Sequence, residues 1–196
     1  MIKILRPLTL ALFAAFSLSA TAQTISKTDS LAKVNANKKA RNVYFEALGP
    51  AGVYSFNYDT RFKNRQDGLG GRVGLSYYAQ DGDKLFAIPI VVNYLLGKEG
   101  KYFEIGAGAT FYHFNSESSR KFFGERYSSS FTVSPEGYYY YEPQPTSETS
   151  VFGSFNFGYR YQPVNGGFSF RGGFSPIFSS HEFIPYWPYL SFGYSF

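Results

Sequence analysis

Tyr189-Leu190-Ser191-Phe192-Gly193-Tyr194-Ser195-Phe196, the last eight residues of the 196-residue chain, place a large apolar residue at every second position. Successive side chains of an extended strand point to opposite faces. Leu190, Phe192, Tyr194 and Phe196 therefore share one face, and Ser191, Gly193 and Ser195 share the other. The same two-sided pattern recurs upstream. Tyr54, Phe56, Tyr58, Thr60 and Phe62 stand opposite Ser55, Asn57, Asp59 and Arg61. Phe155, Phe157, Tyr159 and Tyr161 stand opposite Ser154, Asn156, Gly158 and Arg160.

Eight such segments run over residues 42–49, 53–62, 69–79, 85–96, 102–114, 151–162, 168–178 and 187–196. They are separated by turn signals such as Gly49-Pro50-Ala51-Gly52 and Gln80-Asp81-Gly82-Asp83. Most reach the length that a tilted strand needs to cross a bilayer. An eight-stranded barrel has an interior only just wide enough to be filled by side chains. It has no room for rows of rings from every strand, but it accepts glycine, serine and a few charges. The rings must then face outward, into lipid. The fold class is thus all-β, an eight-stranded antiparallel up-and-down transmembrane β-barrel over 42–196. An even strand number puts both termini on the periplasmic side. The one long connection, 115–150, falls outside, as transmembrane barrels arrange their loops.

Composition agrees: 22 Phe, 18 Tyr and 20 Gly accompany one Trp and one Met. The start reads as a cleaved signal peptide over 1–22, with Lys3 and Arg6, an apolar run from Leu8 to Leu18, and Ala20-Thr21-Ala22. That run is too short for a membrane helix. The absence of cysteine excludes disulfides and a lipid-modified N-terminus. Of the formal charge of +5, the leader carries two, and residues 23–42 carry a net +4 from Lys27, Lys33, Lys38, Lys39 and Arg41 against Asp29. The remainder is close to −1, which excludes a nucleic-acid footprint. Residues 23–41 read as a disordered, polar, basic periplasmic arm, or as one that touches anionic headgroups or cell-wall material.

With these features the sequence resembles the small OmpA/OmpX-type outer-membrane barrels. More narrowly, Val53-Tyr54-Ser55-Phe56-Asn57-Tyr58-Asp59-Thr60-Arg61-Phe62, Asn93-Tyr94-Leu95-Leu96-Gly97 and Gly158-Tyr159-Arg160-Tyr161-Gln162-Pro163 resemble a group known simply as outer-membrane β-barrel proteins. The resemblance covers 42–196 and implies an outer-membrane location amid lipid and lipopolysaccharide. It also implies that the barrel-insertion machinery reads the last strand through Tyr194 and Phe196, with Leu190 and Phe192 beside them. It implies no activity and no cofactor.

Three places could carry function. The inward face holds Glu46, Asp59, Arg61, Arg72, Glu104, Arg160 and Arg171, most of them towards the periplasmic end. In so narrow a lumen these should pair, forming either a salt-bridged plug or a gated conduit. A lipid A hydrolase is the second possibility. His113 lies on the lipid-facing row near the external end, as in lipid A deacylase barrels, but Asn115 occupies the position where those carry a serine, and Ser116 points the other way. His181 follows Ser180 only in sequence. The third place is the loop 115–150. Phe122, Phe123, Tyr127, Phe131 and Tyr138, Tyr139, Tyr140 and Tyr141 offer contact area for an extracellular protein or glycan. Alternatively the two flanking strands continue there as a hairpin with paired tyrosines. Either way, deletion of 117–146 is expected to leave a folded barrel. Asp81-Gly82-Asp83 lacks the remaining oxygens of a calcium loop.

Overall fold

A computed structural model describes residues 38–118, 120–123, 129–133, 135, 139–180 and 182–196, with 129–133 and 139–143 described as backbone. The expected leader, residues 23–37 of the arm, Tyr127, Tyr138 and His181 lie outside the described residues. The strands are β1 (Arg41–Leu48), β2 (Tyr54–Arg61), β3 (Gly68–Gln80), β4 (Asp83–Lys98), β5 (Lys101–Ser116), β6 (Ser129–Val133), β7 (Tyr139–Pro143), β8 (Thr146–Tyr161), β9 (Gly167–Phe174), β10 (Ile177–Phe178), β11 (Phe183–Ile184) and β12 (Pro188–Ser195). β6 and β7 pair only with each other; the rest form one sheet.

β10 keeps the register of β9 against β8, so the two make one strand interrupted at Ser175-Pro176. β11 likewise extends β12, after a one-residue slip between Ile184 and Pro188. Eight strands remain, every neighbouring pair is antiparallel, and β12 pairs with β1 to close the cylinder. Stepping between partners once around leads from Gly167 through Ser195, Asn42, Asp59, Arg72, Val91, Gly108 and Ser154 to Ile177, ten residues further along the starting strand. Eight strands with that stagger tilt by about 40°.

β1 begins and β12 finishes at one end, the terminal end, where Arg41 and Phe196 exchange backbone hydrogen bonds of 3.2 and 3.0 Å. The opposite, loop end carries the connection between β5 and β8. Hydrogen bonding of β5 to β8 persists to Ser116 and Thr146, so that connection is 117–145, shorter than the sequence suggests. The turns Asp81-Gly82 and Glu99-Gly100 have positive φ at both residues, the hairpin geometry that matches strand twist. They allow β3, β4 and β5 to run longer than their apolar patterns.

The outward rows are apolar. On β4 the row runs from Phe86 to Leu96 between Lys84 and Lys98. Ten residues at ~3.3 Å each, tilted by about 40°, rise roughly 25 Å. The inward rows change character along the axis. The terminal-end layer holds Asn42, Leu95, Tyr102, Gln162, Ser169 and Ser195, followed by the seven charged residues and then a belt of Ser55, Ser76, Thr110, Ser154 and Asn156. The loop end is filled by Leu85, Ala87, Tyr112, Phe114, Phe152 and Ile177. This corrects the expectation that all rings face out. The charges occupy only one half of the lumen, and the other half closes over aromatic rings.

Two further pieces complete that closure. The Gly49–Ala51 turn folds inward and is buried, with Thr110 donating to Pro50 O at 2.8 Å and Trp187 Nε1 donating to Gly49 O at 3.0 Å. Phe122 and Phe123 descend from the long loop, with ring centroids 5.1 Å from Tyr112 and 4.9 Å from Phe152 respectively. A buried phenylalanine truncated to alanine costs about 3–5 kcal/mol. Phe123→Ala should therefore lower the urea midpoint of the detergent-folded barrel by an amount in that range. An unchanged midpoint would show that the ring packs only on the surface.

Candidate functional site

Strand alternation and barrel closure bring Glu46 (β1), Asp59 and Arg61 (β2), Arg72 (β3), Glu104 (β5), Arg160 (β8) and Arg171 (β9) into one buried chain. None is more than 3% exposed. Each carboxylate lies between two guanidinium groups. Asp59 Oδ1 accepts from Arg61 at 2.7 Å and from Arg160 at 2.8 Å. Glu104 accepts from Arg160 Nε at 3.0 Å and from Arg171 through both Nε (2.9 Å) and Nη2 (2.6 Å). Glu46 Oε2 meets Arg171 at 3.5 Å and Arg72 at 3.0 Å. Order along the chain is thus Arg61, Asp59, Arg160, Glu104, Arg171, Glu46, Arg72, with signs alternating throughout.

Neutral groups complete it. Asn93 of β4 donates to Asp59 at 2.6 Å and to Glu104 at 3.1 Å, and its oxygen accepts from Arg61. Ser191 donates to Glu46 at 3.1 Å. The Arg171 guanidinium stacks 4.4 Å above the Tyr44 ring, whose hydroxyl accepts from Arg72 at 3.1 Å. Arg61 lies flat against β3, where a Cβ at Gly70 would stand 2.2 Å from its Cζ. Glycine at 70 is therefore what admits the guanidinium. Sequence alone marks Asn93 and Tyr44 only as inward positions, because neither carries a charge that demands a partner.

The loop candidates divide. Phe122 and Phe123 are not on display: they are packed into the barrel mouth, because the apolar inward row at the loop end needs filling. The loop's departure is latched there, with Arg120 Nη1 3.0 Å from Asp83 Oδ2 and Thr146 donating to Arg120 O at 2.6 Å. Asp83 also accepts from Ser116 at 2.6 Å, so its carboxylate serves the latch. Tyr139, Tyr140 and Tyr141 pair by backbone with Val133, Thr132 and Phe131 in the β6–β7 hairpin. That hairpin is a separate unit of pairing, not a continuation of β5 and β8.

On the last strand, Phe192, Tyr194 and Phe196 point outward and are about half exposed, with Leu190 in the same row. His113 also faces outward. Its Nδ1 is 2.7 Å from Thr149 Oγ1 and its Nε2 is 3.1 Å from the Asn115 amide nitrogen. Both ring nitrogens are thus engaged by neighbouring side chains. Thr149 is 36 residues away in sequence and reaches His113 only through the β5–β8 register. Ser116 turns inward to Asp83.

Fold and lumen together define a closed eight-stranded antiparallel barrel with an ion-paired interior, the architecture of the small barrels that the sequence resembles. No protein-family model and no curated protein matches the chain. Among solved structures, the N-terminal β-barrel domain of Pseudomonas aeruginosa OprF is similar, with a TM-score of 0.47 and 9% identity, over 82% of this chain and 98% of that one.

Removing one member of a buried ion pair leaves its partner's charge uncompensated, at a cost of about 3–5 kcal/mol. Glu104→Gln takes one of two carboxylates from both Arg160 and Arg171 and should destabilise the folded barrel by an amount in that range in urea titrations. The exposed Arg65–Asp67 pair in the β2–β3 turn, at 2.8 Å, is the control. Hydrogen bonding from Arg65 holds the Asp67 carboxyl below the usual carboxylate range, yet Arg65→Ala should change stability by less than about 1 kcal/mol. Equal losses in the two variants would contradict this assignment.

Proposed function

We propose that this chain is an integral outer-membrane β-barrel protein without a conducting bore, which presents its long loop to the exterior as an interaction surface. The observation that carries the reading is the inverted polarity of the barrel. Seven charges are buried inside, while Phe56, Leu75, Phe111, Phe174 and Tyr194 are each more than half exposed on the outside. Water would penalise such a wall; hydrocarbon would not. The row of roughly 25 Å on β4 matches the apolar band of such barrels. A shallow, open depression of about 770 Å³ between outward side chains, including Val43, Phe45, Phe56 and Phe192, offers acyl chains a seat.

In this orientation the terminal end is periplasmic and the loop end is external, in contact with lipopolysaccharide. The row ending in Phe196 is the signal for the insertion machinery. The closed lumen favours a structural or adhesive role over a conduit. Two barriers in series, the ion-paired chain and the aromatic mouth, stand against permeation. The hydrogen bonding around His113 favours a non-enzymatic role. Recognition of an extracellular protein or glycan falls to the β6–β7 hairpin.

One preparation tests both parts. Phe157→Trp puts an indole at mid-height on the outer wall. In liposomes its fluorescence should be strongly quenched by lipids brominated near the middle of the acyl chain, above the background from Trp187. The same proteoliposomes should show no stable conductance steps in planar bilayers. An unquenched indole would remove the membrane assignment, and a steady open pore would remove the sealed lumen.

A further inference from the structure

Among the described residues, the buried charged side chains are four arginines and three carboxylates, all in the lumen chain, so the interior carries one positive charge in excess. Arginine does not release its proton to escape such a site. A buried charge without a counter-charge costs several kcal/mol. The next acidic groups are Asp67 at the terminal end, which is paired with Arg65 in the β2–β3 turn, and Asp83 and Glu148 at the loop end, where they serve Arg120 and the Tyr112 hydroxyl.

Hydrogen bonding is unbalanced in the same direction. Below the aromatic mouth, N–H groups of Asn42, Arg61, Arg72, Asn156, Arg160 and Gln162 lack a protein acceptor, against the amide oxygens of Asn57 and Asn156 and the hydroxyls of Ser76, Ser154 and Tyr189, which also lack a partner. Four of these donors lie towards the terminal end: Asn42 Nδ2 and Gln162 Nε2 in its layer, and Arg61 Nε and Arg160 Nη2 in the charged chain next to it, where both guanidinium groups share Asp59 Oδ1. Among the described residues, no side-chain oxygen without a partner accompanies them there. The other ends of the two amides are fixed, since Asn42 Oδ1 accepts from Ser169 at 3.0 Å and Gln162 Oε1 from Arg160 at 3.3 Å. Their N–H groups are thereby oriented as donors.

We propose that this floor of the lumen binds one small monovalent anion of the halide type, held by Arg61, Arg160, Asn42 and Gln162. Water would satisfy donors but bring no charge to offset the excess. A single negative charge neutralises the excess, where a dianion would reverse it. The tight bore, walled by Leu95 and Tyr102, favours a spherical ion over a branched oxyanion. Access is from the terminal end, since the aromatic mouth closes the other. The inference is independent of what surrounds the outer wall.

The unmodified barrel, folded in detergent micelles, provides the test. Crystals soaked in sodium bromide should give an anomalous peak within hydrogen-bonding distance of Arg61 Nε and Arg160 Nη2. The unfolding midpoint should be higher in sodium chloride than in sodium gluconate at equal ionic strength, with saturation at a single site. Asn42→Leu, which removes one neutral donor, should raise the half-saturating chloride concentration about tenfold. Arg61→Gln, which neutralises the lumen, should abolish the chloride effect. Density that fits only water at the floor, or equal midpoints in the two salts, would overturn the site. Should either variant fail to fold, the bromide and gluconate results on the unmodified barrel decide.

Discussion

The narrow interior of an eight-stranded cylinder is the constraint from which the rest follows. Side chains that enter it have no route back to water, so every buried carboxylate must find a cation and every guanidinium a carboxylate. Alternation of charge along a single chain of seven residues satisfies this with few groups. Arginine suits it because its planar fork bridges two carboxylates at once, as Arg160 and Arg171 do. Small residues are the counterpart: Gly70 gives Arg61 its place against the wall, and serines and glycines fill the remaining inward rows.

Much of this is legible in the sequence. Period-two alternation placed all eight strands, because a one-residue slip would exchange every inward and outward side chain. The seven charged lumen positions follow from the same parity. Pairwise assignments did not follow, since Arg171 and Glu46 are 125 residues apart and meet only through closure. The neutral members of the chain, Asn93 and Tyr44, carry no signal of their own in a single sequence. The Thr149 partner of His113 was invisible for the same reason of register.

The loop shows where pattern reading fails. Phe122 and Phe123 lie in a polar, aperiodic stretch, which reads as exposed. Their burial depends on a feature of the barrel, the uncharged upper half of the lumen, where Tyr112, Phe114 and Phe152 leave a gap that two rings fill. The expectation that residues 117–146 are dispensable changes accordingly. Thr146 belongs to β8, and the segment that follows Ser116 supplies part of the interior. The β6–β7 hairpin, by contrast, pairs by backbone only within itself.

The ion-paired chain draws on strands from both halves of the sequence, and its links through Glu46 tie β1 to β9 around the closing β12 seam. In the membrane setting proposed for this barrel, a curled but unsealed sheet would therefore hold arginines facing hydrocarbon with partners missing. Such an intermediate has nowhere stable to rest in the bilayer. Assembly of this barrel must then be nearly all-or-none, with neutralisation of the interior and sealing of the seam occurring as a single event.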